Sequence, residues 1–205
     1  MTGTAASRAT AAGGLRKLRT SDPVFFTALG LLTLLILASV AGRLIPGLND
    51  GATACILAAE DSAKELGLPV GMRLVEFAFV GVEPEVMGYG PVPAAEKALA
   101  KAGLSIDDIG LFELNEAFAV QVLSFLEHFG IDDDSDKVNR YGGAIATGHP
   151  LASSGVRLMN QLSRQFAEDP SVRYGMTAMC IGIGMGGAVI WENPHHADYG
   201  KENRA

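Results

Sequence analysis

The chain has 205 residues, of which 48% are hydrophobic and 19% are charged, and this composition excludes a disordered chain, a collagen and a coiled coil. The length suits one or two globular domains. The net charge of −7 argues against nucleic acid as the main partner. Two cysteines are too few for a disulfide framework, so we expect a reducing, cytoplasmic compartment.

The N-terminal part differs in charge and hydropathy from the rest. Residues 1–45 carry five basic groups and one acidic group, whereas the remainder carries 11 basic and 22 acidic groups. We interpret residues 1–22 as a flexible basic leader and residues 23–46 as an apolar segment. Within that segment, residues 23–42 are 20 consecutive uncharged residues, enough to span a bilayer. Two interpretations stay open: a transmembrane helix, which would make the protein membrane-associated, or a buried segment of a soluble protein.

Beyond this segment, helical and strand patterns alternate, which predicts an α/β domain with a mixed sheet. The predicted helices end at Gly67, Gly103, Gly130 and near residue 169, and the predicted strands are 73–82, 109–114, 174–184 and 186–192. One helix is predicted to begin at Asn115. The apolar stretch 52–59, which contains Cys55, reads as a strand-like core segment. In the strand at 73–82, the alternation predicts one shared face for three side chains: Val75, Phe77 and Phe79.

Three short segments combine residue types that can carry chemistry. Asn115 stands where an apolar strand meets a helix, the place where sites gather in α/β sheets, although a plain helix cap is the alternative. In Gly142–Gly155, His149 lies among glycines at a helix start, which suits an oxyanion, and a structural turn is the alternative. Cys180 closes a strand before a glycine-rich turn and is either a reactive thiol or an inert buried one.

The other histidines do not predict a metal site. His128, His195 and His196 are too scattered for zinc-ligand spacing, and we interpret them as surface residues. We therefore expect no metal.

The segments NEAF, GGAIATGHPLASSG and CIGIGMGG, in this order and spacing, resemble the thiolase family of acyl-CoA C-acyltransferases. LNDGA and MGYGPVPA fit the same family. The resemblance implies a domain at 47–193 with the C-terminal half of a thiolase fold, a layered α/β domain with helices on both faces of the sheet, and a polar tail at 194–205. It implies coenzyme A thioesters as substrates, no cofactor, and a place in fatty-acid beta-oxidation or acetyl-CoA metabolism.

The resemblance also implies a role for each matching residue. His149 would activate a nucleophilic cysteine, Asn115 would position a water in an oxyanion site, and Cys180 would move the proton of the reacting carbon. The backbone N–H of Gly182 would serve a second oxyanion site. Substrate contacts are implied for three further residues: Met87, Gly148 and Phe118.

Two departures from the family pattern qualify the expected activity. The acylated cysteine of a thiolase belongs to an N-terminal half that this chain does not match, so we expect little turnover by the chain itself. We expect a homo-oligomer or pairing with a complementary thiolase half. In addition, the apolar run stands where family members have a hydrophilic segment. This difference indicates a frame-shifted insert or gene-model artefact, and the alternative is a membrane anchor. The alternative function is a non-catalytic protein that binds coenzyme A thioesters or a membrane.

Overall fold

The structure is a computed structural model that describes residues 50–201. The predicted leader at 1–22 and the apolar segment at 23–46 lie outside the described residues, as does the end of the tail at 202–205. Among the residues that are described, no helix combines the length and the apolar character needed to cross a bilayer.

Helices and strands alternate along the described chain. They are α1 (Glu60–Leu66), β1 (Arg73–Gly81), α2 (Pro91–Ala102), β2 (Ile109–Leu114), α3 (Ala119–Phe129), α4 (Ala144–Thr147), α5 (Leu151–Glu168), β3 (Tyr174–Ile181) and β4 (Met185–Glu192). Short 3-10 turns at Pro84–Tyr89 and Ile106–Asp108 precede α2 and β2.

The four strands form one mixed sheet in the order β1-β4-β3-β2. Strands β2 and β3 are parallel, and β4 is antiparallel to both β3 and β1. The faces of the sheet are buried by different helices, because neighbouring strand residues point to opposite sides. Phe112 and Ile190 belong to a core with α2 and α3, whereas Leu111 and Trp191 pack with Leu162 of α5. The predicted α/β class, with a mixed sheet and helices on both faces, is confirmed.

Glycine ends the first three helices, as the sequence predicts. Gly67, Gly103 and Gly130 all have a φ between +62° and +65°, the left-handed region that favours glycine. In each case the N–H of the following residue donates to a carbonyl in the last helical turn, as from Leu104 to Leu99 at 3.0 Å. These caps fix where each helix returns the chain to the sheet.

Two predictions about the sheet are wrong. The stretch 52–59 forms no strand, and Cys55 is exposed rather than buried in the core. All its side chains are exposed, including the large Ile56 and Leu57, and Thr53 Oγ1 donates to the carbonyl of Ser153 at 2.8 Å. The three side chains predicted to share a face of β1 do not share one. The register shifts between Leu74 and Glu76, and this bulge turns Val75 toward the core, whereas Phe77 and Phe79 are exposed.

A carboxyl group lies buried between β2 and α5. Glu113 of β2 is fully enclosed, and its Oε1 accepts a hydrogen bond from Gln165 Nε2 at 2.5 Å. Its other oxygen has no hydrogen-bond partner within the described residues. Burial raises the pKa of Glu113 to about 7, because the hydrogen bond from Gln165 and the attraction of Arg157 offset only part of the lost hydration.

We expect the free energy of unfolding to fall as the pH rises from about 5 to about 8, by up to about 3 kcal/mol. The sign follows because unfolded Glu113 ionises near its ordinary pKa, whereas the folded chain keeps the proton until about pH 7. Urea unfolding of Glu113→Gln should show a weaker pH dependence and higher stability at the alkaline end. Glu127→Gln, at an exposed position of α3, is the control. An unchanged pH dependence in Glu113→Gln would contradict this account.

Candidate active site

Three residues that the sequence singles out meet where β2 and β3 end. Asn115 follows the last residue of β2, and Cys180 is the penultimate residue of β3. His149 lies on the connection between α4 and α5. Because β2 and β3 are parallel, their carboxyl ends share one edge of the sheet, the position at which α/β folds bind ligands.

One chain of hydrogen bonds joins these residues. The amide nitrogen of Asn115 lies 3.3 Å from His149 Nε2, and the backbone carbonyl of Asn115 accepts from Gln121 Nε2 at 3.1 Å. Gln121 Oε1 in turn lies 3.2 Å from the sulfur of Cys180. Sequence reasoning missed Gln121, which stands on the first turn of α3, six residues after Asn115. Its signal would have been a polar side chain on the otherwise apolar inner face of this helix, beside Phe125 and Leu126.

Asn115 is held by the sheet rather than by a helix. Its N–H donates to the carbonyl of Ala178 in β3 at 2.9 Å, and α3 begins only at Ala119, after Phe118 in the N-cap position. Both the cap interpretation of Asn115 and the predicted helix start are therefore wrong. Only 1% of Asn115 is exposed, and its Oδ1 has no protein partner in the described part of the chain. That acceptor is the group available to hold a water or a polar substrate atom.

The hydrogen bonds around His149 define its tautomer. Ser154 donates its hydroxyl proton to the carbonyl of Pro150 at 3.0 Å, and the same oxygen lies 2.7 Å from His149 Nδ1. Since the hydroxyl proton is already used, Nδ1 must carry the proton of that contact. Nε2 is then the acceptor that faces the amide group of Asn115. This tautomer gives the side chain a basic nitrogen directed at the edge of the sheet.

Burial and a nearby cation keep His149 neutral. Its pKa is lowered chiefly by burial and further by the charge of Arg157. Arg157 is fixed beside it, because its Nη1 donates to Gly148 O at 2.6 Å and to Thr147 Oγ1 at 3.1 Å. A neutral imidazole can accept a proton, as a general base must.

We expect the His149 ring to titrate below about 6.5, the ordinary histidine pKa, and to be protonated on Nδ1 while neutral. The unfolded chain takes up this proton at a higher pH than the folded chain, so acidification below about pH 6.5 should lower stability. Imidazole NMR spectra, assigned with His149→Gln, provide the measurement. Ser154→Ala removes the partner of Nδ1 and should shift the tautomer toward Nε2–H. An ordinary pKa, or an Nε2–H tautomer in the unaltered chain, would contradict the hydrogen-bond assignment.

The carboxylate of Glu116 fixes the loop that carries His149. Its Oε1 accepts from Asn139 Nδ2 at 2.7 Å, and its Oε2 accepts from the N–H of Ile145 at 3.0 Å. A Cβ atom at Gly143 would lie 1.9 Å from the Glu116 carboxyl carbon, so no side chain fits at this position. Asn139 also exchanges two hydrogen bonds with the backbone of Leu114, which ties the clamp to β2.

Gly143→Ala should displace Glu116 and destabilise the domain by about 1–3 kcal/mol, the usual cost of overpacking. The loop should also lose its fixed position, so the His149 ring resonances should shift or broaden. Thermal unfolding and the same NMR spectra measure both effects. Gly155→Ala is the matched control, because a Cβ there meets only Met179 Sδ at an ordinary 3.8 Å. Equal stability of the two variants would contradict the clamp.

The turn after Cys180 has an unusual backbone. Gly182, Ile183 and Gly184 link β3 to β4, and Ile183 has a φ of +67°. A β-branched residue in this region is strained. The side chain of Ile183 is 89% exposed, so no packing of the described residues offsets the strain. A Cβ at Gly182 would meet no atom within 4 Å, which leaves its backbone open to approach from outside.

The three residues implied as substrate contacts surround this edge. Met87 lies in the 3-10 turn before α2, and Phe118, largely exposed, stands at the start of α3. Gly148, with a φ of +94°, precedes His149 and offers its carbonyl to Arg157. Their contact with substrate stays a prediction.

Other parts of the described chain show no comparable assembly. His128 lies at the end of α3 with Nε2 2.9 Å from Glu96 Oε1, and no group of three side chains in residues 50–201 is arranged to hold a metal. A cavity of about 530 Å³ lies at the opposite end of the sheet, beside Arg73 and Trp191. It is separate from the edge that carries Asn115 and Cys180.

Known proteins resemble this chain over most of the described residues. Residues 68–193 match the family model described as the thiolase C-terminal domain. The 3-ketoacyl-CoA thiolase of Pseudoalteromonas translucida is 50% identical over 180 residues, which are 87% of this chain and 43% of that protein. The 3-ketoacyl-CoA thiolase of Vibrio vulnificus is 46% identical over 182 residues, which are 88% of this chain and 44% of that protein.

Solved structures show the same likeness. The crystal structure of human mitochondrial 3-ketoacyl-CoA thiolase superposes with a TM-score of 0.62 at 42% identity, covering 66% of this chain and 34% of that one. Acetyl-CoA acetyltransferase of Bacillus anthracis gives a TM-score of 0.61 at 36% identity, covering 65% and 33%. The fold and site therefore define a domain of an acyltransferase family. The chain belongs to the thiolase family, and the described residues match its C-terminal domain. It spans about two fifths of the length of these curated relatives.

Proposed function

We propose that this chain supplies the acid–base and oxyanion residues of an acyl-CoA C-acyltransferase that acts on 3-ketoacyl-CoA thioesters in fatty-acid beta-oxidation or on acetoacetyl-CoA. The observation that carries the proposal is the hydrogen-bonded chain from His149 through Asn115 and Gln121 to Cys180. It combines a neutral base, a buried amide and a thiol at one sheet edge. The names of the relatives, 3-ketoacyl-CoA thiolases, supply the reaction class.

The acylated nucleophile, in this proposal, comes from a complementary thiolase half. Of the two cysteines, Cys55 lies exposed on an irregular segment, away from the hydrogen-bonded chain. The pKa of Cys180 is raised by burial, the opposite of what a thiolate nucleophile needs. A thiolate from the complementary half, generated by proton transfer to His149 Nε2, would attack the 3-keto carbon.

The remaining steps assign one task to each group. When the C2–C3 bond breaks, its electron pair stays on the thioester fragment as an enolate, whose oxygen is stabilised by hydrogen bonds at the site. Asn115 holds a water for that oxygen, and the N–H of Gly182 serves the thioester oxygen of the acyl-enzyme. Cys180 gives its proton to the enolate carbon, and the thioester product leaves. The coenzyme A thiol then gives its proton to Cys180 and attacks the carbonyl carbon of the acyl-enzyme, and the displaced thiolate of the complementary half takes back the proton that His149 holds. No cofactor or metal is needed in this scheme.

The experiment is complementation in solution. The chain alone should show little or no acetoacetyl-CoA thiolysis, and mixing it with the N-terminal half of the Pseudoalteromonas translucida thiolase should restore turnover. In the mixture, Asn115→Ala should lower kcat by about 10²–10³-fold, because it removes an oxyanion-site group. Asn160→Ala, at an exposed position of α5, is the matched control and should leave kcat unchanged.

Two outcomes would overturn the proposal. One is turnover by the chain alone at the rate of a full-length thiolase, which would mean that it carries its own nucleophile. The other is a stable complex of the two halves without turnover, which would mean that His149 and Cys180 are not assembled for catalysis. Gel filtration of the chain alone distinguishes a homo-oligomer from a complex that forms only with the other half.

A second candidate rests on the uncharged run at 23–42. It is a non-catalytic protein that binds coenzyme A thioesters at a membrane instead of in the cytoplasm. This run lies outside the described residues, so fractionation of the expressed chain decides the matter. Recovery in the membrane pellet, with no acyl-enzyme formed in the complementation assay, would favour this candidate.

A further inference from the structure

The side chain of Gln121 links the two halves of the candidate site. It is 5% exposed on the inner face of α3, and it lines a small cavity together with Pro91, Leu114 and Ala178. The 3-10 turn lies against it, since a Cβ at Gly88 would be 3.4 Å from Gln121 Cβ. This packing on three sides limits the rotamers that the amide group can adopt.

The orientation of the Gln121 amide follows from its partners. The backbone carbonyl of Asn115 can only accept a hydrogen bond, so the group that faces it at 3.1 Å must be the Nε2 amide. Oε1 is then the atom that lies 3.2 Å from the sulfur of Cys180. A carbonyl oxygen can only accept, so the S–H of Cys180 must donate to it. The proton of the thiol is therefore directed toward Gln121 of α3, which the Asn115 backbone holds in place.

This arrangement favours the thiol over the thiolate. Loss of the proton would leave a negative sulfur facing an amide oxygen instead of an amide N–H, and the Asn115 carbonyl prevents the amide from turning without loss of its own hydrogen bond. Burial of Cys180 acts in the same direction on its pKa. The hydrogen bonds connect the ionisable side chain of His149 to the thiol through Asn115 and Gln121.

We propose that Gln121 is the positioning residue that keeps Cys180 protonated and orients its S–H, so that the thiol serves as a proton donor rather than as a nucleophile. The inference deepens the proposed function and rests on it for the identity of the proton acceptor. The arrangement of the amide and the sulfur, however, can be tested on the thiol itself. No acyl-CoA and no complementary half are needed for that test.

The experiment measures the thiol pKa of Cys180 in the full chain. Cys55→Ser removes the other cysteine, so the pH dependence of iodoacetamide alkylation, followed by mass spectrometry, reports Cys180 alone. In this background, Gln121→Met should lower the thiol pKa by about half to one unit, the size of one net hydrogen bond. Gln121→Glu should raise it by about one unit or more, because a carboxylate opposes the thiolate.

Ser124→Ala is the matched control, because Ser124 lies half-buried on the same helix and donates to the Val120 carbonyl at 2.8 Å. It should leave the thiol pKa unchanged. An unchanged or raised pKa in Gln121→Met would overturn the proposal, since it would mean that an N–H or no polar group faces the sulfur. If circular dichroism shows that Gln121→Met is unfolded, Gln121→Glu decides: a pKa that does not rise overturns the proposal.

The proposed function can fail separately. If the thiol pKa shifts as expected but the complemented halves give no thiolysis, Gln121 controls the proton of Cys180 while the acyltransferase assignment is wrong. If the complemented halves are active but the thiol pKa does not respond to residue 121, the acyltransferase assignment stands and the role of Gln121 is overturned.

Discussion

The carboxylate of Glu116 occupies the space that any side chain at position 143 would require, and the geometry of the site depends on this contact. Asn115 and Glu116 are neighbours in sequence and leave the end of β2 toward different partners. Glu116 binds the start of α4, whereas Asn115 faces the imidazole of His149, six residues beyond Gly143. Glu116 is half-buried, and a carboxylate that is partly removed from water needs hydrogen-bond partners. Its hydrogen bonds to Asn139 and to backbone therefore keep the loop, and with it His149, against the sheet.

The two ionisable groups of the site are biased toward their neutral forms by the same cause. Burial lowers the pKa of His149 and raises the pKa of Cys180. The result is a base that can accept a proton and an acid that can donate one, without a charged pair at the centre. In the proposed reaction, charge that develops on an enolate oxygen would then arise beside two neutral partners, where hydrogen-bond donors can stabilise it. Arg157 contributes from the side, because it holds the Gly148 carbonyl and adds positive potential near His149.

The sequence indicated which residues meet at this site better than it indicated the contacts that position them. Asn115, His149 and Cys180 each allow a structural interpretation when taken alone, and it is their occurrence in three segments with the order and spacing of the thiolase family that singles them out. Gln121 was missed because its direction depends on where α3 begins. The helix starts four residues later than the pattern predicted, since the backbone of Asn115 stays bonded to β3. Propensity does not register such a tertiary hydrogen bond.

The same limitation explains the errors in the sheet. Helix ends were predicted correctly at Gly67 and Gly130, because a left-handed cap is a local property of glycine. The bulge at Val75 and the exposure of Cys55 depend instead on how β1 pairs with β4 and on which neighbours a segment finds. A face predicted from alternation is correct only if the strand keeps an unbroken register. Burial predicted from apolar composition is correct only if the segment has a partner to pack against. Neither condition can be tested within the segment itself.

At Ile183 the backbone adopts a conformation that a β-branched residue disfavours. A turn of three residues between antiparallel strands needs a left-handed backbone, for which glycine is the usual choice, and this chain places a β-branched residue there. The strain of about 1–2 kcal/mol is not offset by packing in the described residues. Strain of this kind persists where the surrounding structure imposes it, and here the flanking strands hold Cys180 opposite Gly186 and Ile181 opposite Met185. The hairpin register that places the Cys180 sulfur beside Gln121 is thus maintained despite the preference of Ile183 for a negative φ. The conformation of the turn follows from the position of the two strands and does not determine it.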